Sequence, residues 1–423
     1  MAGSRRPSWV WIVFVTVIAA VVIIPATFVA VRLTAPPPPA TVSFHAPATV
    51  LLDGTGPPPI PVPGTGSFAL VTSFSGTVAS REPTLVRPIG SVAKAMTALI
   101  VLSAHPLGAG ANGPSVTMTT ADVLLYRQAR AEGGSNLPVR AGEVLTEREL
   151  LLALLLPSAD NIAETLAVWV SGSRSTFIAR LNAAAEAMGM AHTHFADPSG
   201  LSARTVSTAG DLVLLAKAVI ASPALADMVR TVQATLPDGT VLNNLDILLN
   251  TQQGWLGIKT GWTGAAGGCL LFADAMQYTS GESITVWGAV LGQPPAASGD
   301  PAHPELGQAF ASAQSAVVAA VSAYEAVDLS EALPQLTGSI TTRWGGSAPV
   351  QLAPHQASDV VFIRAGALLR VHVIIQSPRA PIASGATVAT VTGILNAKTS
   401  ITWMVVTTTT IGAPSLSWKL FSA

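Results

Sequence analysis

Ser91 and Lys94 are the residues in this chain whose types and spacing most directly suggest chemistry. In a helix, residues three apart share a face, so the Lys94 amine can reach the Ser91 hydroxyl. A serine becomes a nucleophile when a base takes its proton, and a neutral lysine can be that base. Burial and a second nearby cation both favour the neutral amine. Lys94 stands in an apolar setting, Ala95-Met96-Thr97-Ala98-Leu99, and of the five lysines it alone has a serine three residues before it. Pro88-Ile89-Gly90 halts the preceding chain and puts Ser91 at a helix start, where its backbone N–H can stabilise an oxyanion. Lys259-Thr260-Gly261 offers the second cation, because Lys259 is the only Lys or Arg between Arg230 and Arg343. Gly261 would let a substrate backbone approach closely. Ser158-Ala159-Asp160 follows an apolar stretch and, taken alone, reads as a turn and helix cap.

Other candidates carry less. Cys269 lies in Gly-Gly-Cys-Leu-Leu-Phe and reads as a small core residue on a buried strand. His192 and His194 would share one strand face, but no third ligand pattern accompanies them, and no metal is expected. The glycines from 261 to 268 lack the spacing of a phosphate loop. No cofactor is expected.

These residues need elements to position them. Residues 67–72 and 76–78 read as a hairpin opening a sheet. Residues 91–104 predict a strongly apolar helix, and 146–170 a helical stretch broken at Pro157. Helices are expected over 175–188 and 207–220, the latter with Thr208 as cap and Asp211 in its first turn. Residues 254–273 and 284–291 have strand character, and 311–324 predict a small-residue helix. Strands, then helices, then strands and one helix imply an α/β sandwich with a helical insert. Beyond about residue 328 short β runs at 360–363, 368–375, 386–392 and 400–407, separated by Gly, Pro and Asn, predict a small β-rich domain.

The N-terminus sets the expected compartment. Trp9 to Val31 is an apolar run of about 23 residues, enough to span a bilayer. Arg5 and Arg6 before it keep that end in the cytoplasm and direct the rest outward. A tetraproline at 36–39 is a poor cleavage site, so an uncleaved single-pass anchor is favoured over a signal peptide. The prolines at 36–39 and 57–63 predict stiff, extended spacers. The expected domains are therefore 1–33 as cytoplasmic tail and anchor, 34–66 as Pro-rich linker, 67–328 as catalytic domain and 329–423 as β-rich accessory domain. Charged residues make up only 11% of the 423 and the formal net charge is −1. With the basic residues scattered, nothing suits a nucleic-acid backbone.

Taken in order, Ser91-x-x-Lys94, Ser158-x-Asp160 and Lys259-Thr260-Gly261 form a set similar to that of penicillin-binding proteins and serine β-lactamases. The chain most resembles the low-molecular-weight D-alanyl-D-alanine carboxypeptidase family (serine peptidase family S11). Residues 88–98 resemble its nucleophile helix and 156–163 its second motif. Asp197-Pro198-Ser199-Gly200-Leu201 with 207–212 is similar to its characteristic loop and helix, and 257–270 to its third motif. The likeness covers roughly residues 67–292. It implies a penicillin-binding, β-lactamase-like fold and a reaction on peptidoglycan stem peptides, with β-lactam antibiotics as covalent inhibitors. It further implies that Ser91 attacks the penultimate D-Ala carbonyl, Lys94 takes the serine proton and Ser158 relays a proton to the leaving amine. The Ser91 and Trp262 N–H groups would form the oxyanion hole, with Lys259 and Thr260 holding the substrate carboxylate.

Two positions depart from the family pattern. Asp160 stands where the family usually has Asn. An ionised carboxylate only accepts hydrogen bonds, and beside Lys94 it would favour the charged ammonium and weaken that base. Asn161 cannot simply replace it, because one residue turns about 100° around a helix. The second departure is the absence of an arginine after the third motif to grip the terminal carboxylate, which leaves endopeptidase activity open. The rival enzyme, a class A-like β-lactamase, would need a deacylating glutamate, and Glu164 and Glu186 lie in helical stretches. A catalytically degenerate penicillin-binding or sensing protein is the non-enzyme rival.

Overall fold

In the computed structural model, residues 8–52, 58–278, 281, 283–296, 303–329, 336–353, 360–395 and 399–422 are described. The chain divides into two compact units, Pro57–Glu325 and a second made of Met1–Gly56 with Ala326–Ala423.

The first unit is built on a five-stranded antiparallel sheet. Its strands are β1 (Ser67–Thr72), β2 (Gly76–Arg81), β3 (Trp255–Thr263), β4 (Gly267–Gln277) and β5 (Ser283–Gln293), in the order β3-β4-β5-β1-β2. The stretch with strand character over 254–273 forms a hairpin, since 264–266 turn between β3 and β4. Every residue of β1 is buried, as a sheet covered on both faces requires. Ala69, Val71, Leu271, Ala273, Ala289 and Leu291 join the main core, whereas the alternating Phe68, Leu70 and Phe272 are equally buried outside it.

Eight helices of this unit bear on the site: α1 (Ala93–Ala104), α2 (Thr120–Ala131), α3 (Glu147–Leu155), α4 (Asp160–Ser171), α5 (Arg174–Ala187), α6 (Ala209–Ala221), α7 (Pro223–Val229) and α8 (Gly307–Ser322). Helix α6 packs on β5 and β1, and α8 on β4 and β5. The helical insert falls between β2 and β3. Its first helices start where polar caps allow: Thr119 and Thr146 each accept from the backbone N–H three residues on, and Asp122 and Glu149 bond back to the cap. Helix α2 had no counterpart among the helices expected from the sequence, although its capping box is visible there as Thr119-x-x-Asp122.

The second unit corrects the linker expectation. Within 34–66, Thr41–Phe44 and Thr49–Leu51 are strands, and they occupy the two opposite edges of a seven-stranded sheet. Between them run Gly338–Thr341, Ser347–Leu352, Thr399–Thr407, Thr387–Leu395 and Leu368–Ile375. The physical reason is burial: Val42, Val50 and Leu52 point into the core of this unit, with Leu52 fully enclosed. Six interstrand spacings would put the edges of a flat sheet about 29 Å apart. The connection at 45–48 can reach only about 15–18 Å. The sheet must therefore curl until its two edges approach at this connection. Residues 53–57, including Pro57 at the start of the second proline stretch, lie outside the described residues.

Candidate active site

The nucleophile turn forms because Gly90 adopts φ +52°, a conformation that favours glycine. A 3-10 turn over Gly90–Val92 leads into α1, so Ser91 sits at the helix entrance as expected. Lys94, one turn on, is wholly enclosed. Its Nζ lies 2.7 Å from Ser91 Oγ, 2.5 Å from Asp160 Oδ1 and 3.0 Å from the Ser199 carbonyl oxygen. An ammonium has three N–H donors, and these three acceptors take all of them. The carboxylate that the sequence put in doubt is thus the direct partner of the candidate base.

Each acceptor is held by its own element. Asp160 opens α4, where a carboxylate favours the helix N-terminus, and its N–H donates to the Ser135 carbonyl at 2.8 Å. Its other oxygen lies against Gly134, where a Cβ would fall 2.5 Å from Oδ2. Asn161 points elsewhere: its amide accepts from Leu137 N–H and donates to the Leu137 carbonyl, both at 2.9 Å. The Ser199 carbonyl is fixed by Asp197, whose carboxylate accepts from Ser199 Oγ (2.6 Å), Gly200 N (2.8 Å), Leu201 N (2.9 Å) and the Thr205 hydroxyl. Thr97 of α1 donates to the Pro198 carbonyl at 2.7 Å and ties this loop to the nucleophile helix.

Ser158 is not a plain turn residue. It has φ +66°, its side chain is buried, and its hydroxyl has no hydrogen-bond partner among the described residues. A strained backbone and an unsatisfied buried hydroxyl are costly, and they concentrate where a ligand completes the bonding.

Lys259 and Thr260 are both buried on β3. Burial, and after it the charge of Lys94, push the Lys259 amine down to about 7, against the opposing pull of Asp160 and Asp246. The lysine moved toward neutrality in this structure is the one expected to supply the second charge. Asp246, which no motif in the sequence marks, is buried too. It accepts from Trp255 Nε1 of β3 at 2.9 Å and from Leu248 N at 3.2 Å, and burial raises it to about 6. Its neighbour Leu245 donates to the Leu156 carbonyl at 3.3 Å, two residues before Ser158. The segment around Asp246 therefore braces the second motif against the strand of the third. No periodicity or charge run marks it in the sequence.

Gly261 is needed for a different reason from the one expected. A Cβ there would lie 2.9 Å from Val92 N and 3.0 Å from both Ser91 N and Ile89 O. The backbone that approaches β3 is the protein's own nucleophile turn, not only that of a substrate. In return, a Cβ on Gly90 would lie 3.2 Å from Trp262 N, so the turn and the Trp262 N–H are side by side. The Trp262 side chain is about half exposed. Cys269 is buried and its thiol is pushed up to about 12 by burial, which fits a core residue. Glu164, one turn beyond Asp160, is bound through both oxygens to Arg174 Nε at 2.9 and 3.1 Å.

The sequence profile of a family described as D-alanyl-D-alanine carboxypeptidase matches residues 63–292. A D-alanyl-D-alanine endopeptidase of Pseudomonas aeruginosa is 32% identical over 213 residues, 49% of this chain and 66% of that protein. A D-alanyl-D-alanine carboxypeptidase of Mycobacterium tuberculosis is 33% identical over 215 residues, 49% of this chain and 69% of that protein. The chain thus spans about two thirds of the length of these curated relatives. The Streptomyces K15 DD-transpeptidase structure superposes with a TM-score of 0.52 at 25% identity, covering 63% of this chain and 100% of that one. Profile, relatives and fold coincide on the unit that brings Ser91, Lys94 and Asp160 together, and the chain belongs to the D-alanyl-D-alanine carboxypeptidase family of serine peptidases.

Proposed function

We propose that this protein is a serine-type D-Ala-D-Ala carboxypeptidase that removes the terminal D-Ala from peptidoglycan stem peptides. The observation that carries the reading is the Ser91 hydroxyl held 2.7 Å from an enclosed lysine amine. Lys94 accepts the Ser91 proton once its own extra proton has left. Ser91 Oγ bonds to the penultimate D-Ala carbonyl carbon, and the resulting oxyanion is held by the N–H groups of Ser91 and Trp262. Collapse breaks the peptide bond, and the unpartnered Ser158 hydroxyl relays a proton to the departing D-Ala amine. The charged form of Lys259, with Thr260, binds the terminal carboxylate. Water then hydrolyses the ester. β-Lactams enter the same path and leave a covalent adduct on Ser91.

In this reading the apolar helix Ser8–Thr34 anchors the chain in the cytoplasmic membrane, with the catalytic unit outside. Helix length and composition support it.

Penicillin should label the wild type at Ser91, and Ser91→Ala should abolish labelling. An adduct mapped to Ser158 or any other serine would overturn the assignment. Endopeptidase action is the second reading, favoured by relatives of that name and by the lack of an arginine after the third motif. Release of free D-Ala from a pentapeptide, compared with cleavage of cross-linked dimers, separates the two. A β-lactamase is disfavoured because Glu164 is engaged by Arg174.

A further inference from the structure

A cavity of about 310 Å³ opens beside the Lys94–Asp160 pair, between α2, α4 and the loop that begins at Asp197. Its walls divide into an apolar and a charged part. Leu125 and Ala129 of α2 supply the apolar part together with Leu201 of the loop. Asp160 and Glu164, one turn apart on α4, supply the charged part with Glu132, Asp197 and Arg174.

The charges do not balance. Asp160 is paired with Lys94, and Glu164 with Arg174 Nε at 2.9 Å. Asp197 is 3% exposed and receives four donors, from Ser199, Gly200, Leu201 and Thr205, none of them a cation. Glu132 accepts from the neutral Gln128 amide at 3.0 Å. Two carboxylates are left in excess. Burial raises the Glu164 carboxyl against the pull of Arg174, and the charges of Asp197 and Asp160 push it the same way as burial, as like charges around one space do. One oxygen is also left over. Asp160 is 3% exposed, Lys94 takes its Oδ1, and no described residue donates to its Oδ2. Gly134 keeps the space beside that oxygen clear. A buried carboxylate oxygen without a donor is costly, and a ligand that brings one removes the cost.

An apolar wall ending in uncompensated carboxylates fits a side chain made of an apolar stem and a cationic tip. A metal ion fits less well. Both Glu164 oxygens are held by Arg174, and no cluster of three metal-binding side chains forms among the described residues.

We propose that this cavity is a subsite for an ammonium-tipped side chain on the substrate residue that precedes D-Ala-D-Ala. The proposal rests on the carboxypeptidase reading and names what that site selects. Ser91 and Asp160 bond the same amine, so the cavity begins one side chain away from the reacting serine. The substrate residue in question lies one Cα step, about 3.8 Å, before the D-Ala whose carbonyl meets Ser91. Its stem packs on Leu125, Ala129 and Leu201, and its ammonium donates to Asp160 Oδ2, with the charges of Asp197 and Glu164 adding attraction.

The test compares two peptides, Nα-acetyl-L-Lys-D-Ala-D-Ala and the same peptide with norleucine in place of lysine, which keeps the stem and lacks the charge. Release of D-Ala gives kcat/KM for each. The expected result is a preference for the lysine peptide of about tenfold, the size of one charge-assisted hydrogen bond. Glu164→Gln removes a negative charge from the lining and should reduce the preference. Arg174→Gln removes a positive one and should increase it. In both variants, hydrolysis of the norleucine peptide and penicillin labelling should stay at the wild-type level. A merely structural role for the Glu164–Arg174 pair would change both peptides together and in the same direction in both variants, and that result overturns the proposal. Equal kcat/KM for the two peptides with the wild type overturns the subsite and leaves the carboxypeptidase reading standing. Release of D-Ala from neither peptide overturns both.

Discussion

Lys94 touches its nucleophile and a carboxylate at the same time, and the two contacts act in opposite directions. Ser91 and Asp160 compete for the same amine, at 2.7 and 2.5 Å, and the ion pair with Asp160 opposes proton transfer from Ser91. Asp160→Asn removes the charge at nearly constant shape. Penicillin acylation should accelerate, roughly tenfold for each ~1.4 kcal/mol of ion-pair attraction that no longer competes with Ser91 for the amine. Second-order acylation rates of both proteins from pH 6 to 10 check this, and an unchanged or slower mutant means that Asp160 does not restrain the base. In the proposed reaction Lys259 has the converse requirement, because an amine grips a carboxylate only when charged. With its amine near 7, kcat/KM should fall as pH rises through that value, since this limb reports the free enzyme. Asp246 is ionised above about 6, and a nearby negative charge favours the ammonium. Asp246→Asn should therefore move the alkaline limb to lower pH with a smaller change in the rate below pH 6. A profile that keeps its limb while the whole curve drops would mark Asp246 as structural only.

At the scale of elements, the site depends on β3 lying against the turn that opens α1. Gly261 sets that distance, because any Cβ would press on three backbone atoms of residues 89–92. Backbone atoms cannot rotate away as a side-chain end can, so Gly261→Ala must separate strand from turn. A displacement approaching 1 Å costs about a hundredfold in rate. The expected outcome is acylation slowed by about that factor with the far-UV spectrum retained. A variant that acylates at the wild-type rate would show that the approach is not limiting. Most of these elements are legible in the sequence alone. Helices α4 and α6 carry their signals locally, in Pro157 before one and the Thr208 cap of the other. Helix α2 is hard to read there because its inward face is only thinly apolar: its buried residues are Asp122 and Ala129, with Leu125 and Tyr126 half-buried between them. The β3–β4 hairpin is hard to divide in the sequence because Gly264-Ala265-Ala266, which turns between its arms, has no polar turn residue.

For the whole molecule, the chain folds as two compact units with separate hydrophobic cores. Separate cores predict separate cooperative transitions. Calorimetry of the full protein should show two, and penicillin should raise only the one belonging to Pro57–Glu325, by roughly 2–4 °C for each kcal/mol of stabilisation in a unit of this size. A single transition, or two that shift together, would show that the units unfold as one. The strands at 41–44 and 49–51 explain why the β-rich unit needs residues from both ends of the chain: without them each edge of its sheet would be open.

The family, the Ser91–Lys94 contact and the apolar helix are legible in the residue order alone, because each depends on residues close together in the chain. Ser91 and Lys94 are three apart, and the Trp9–Val31 run is continuous. The residue order also marks Asp160 as out of pattern. It is the fold that brings Asp160 to Lys94 while Asn161 clamps Leu137, since neighbours on a helix face different partners. Only the structure showed that the segment at 41–51 is sheet edge rather than spacer, because its three- and four-residue strands gain their hydrogen bonds from chain some 300 residues away. The same holds for Asp246. Its influence on Lys259 is electrostatic, acts through space, and leaves no periodicity in the sequence.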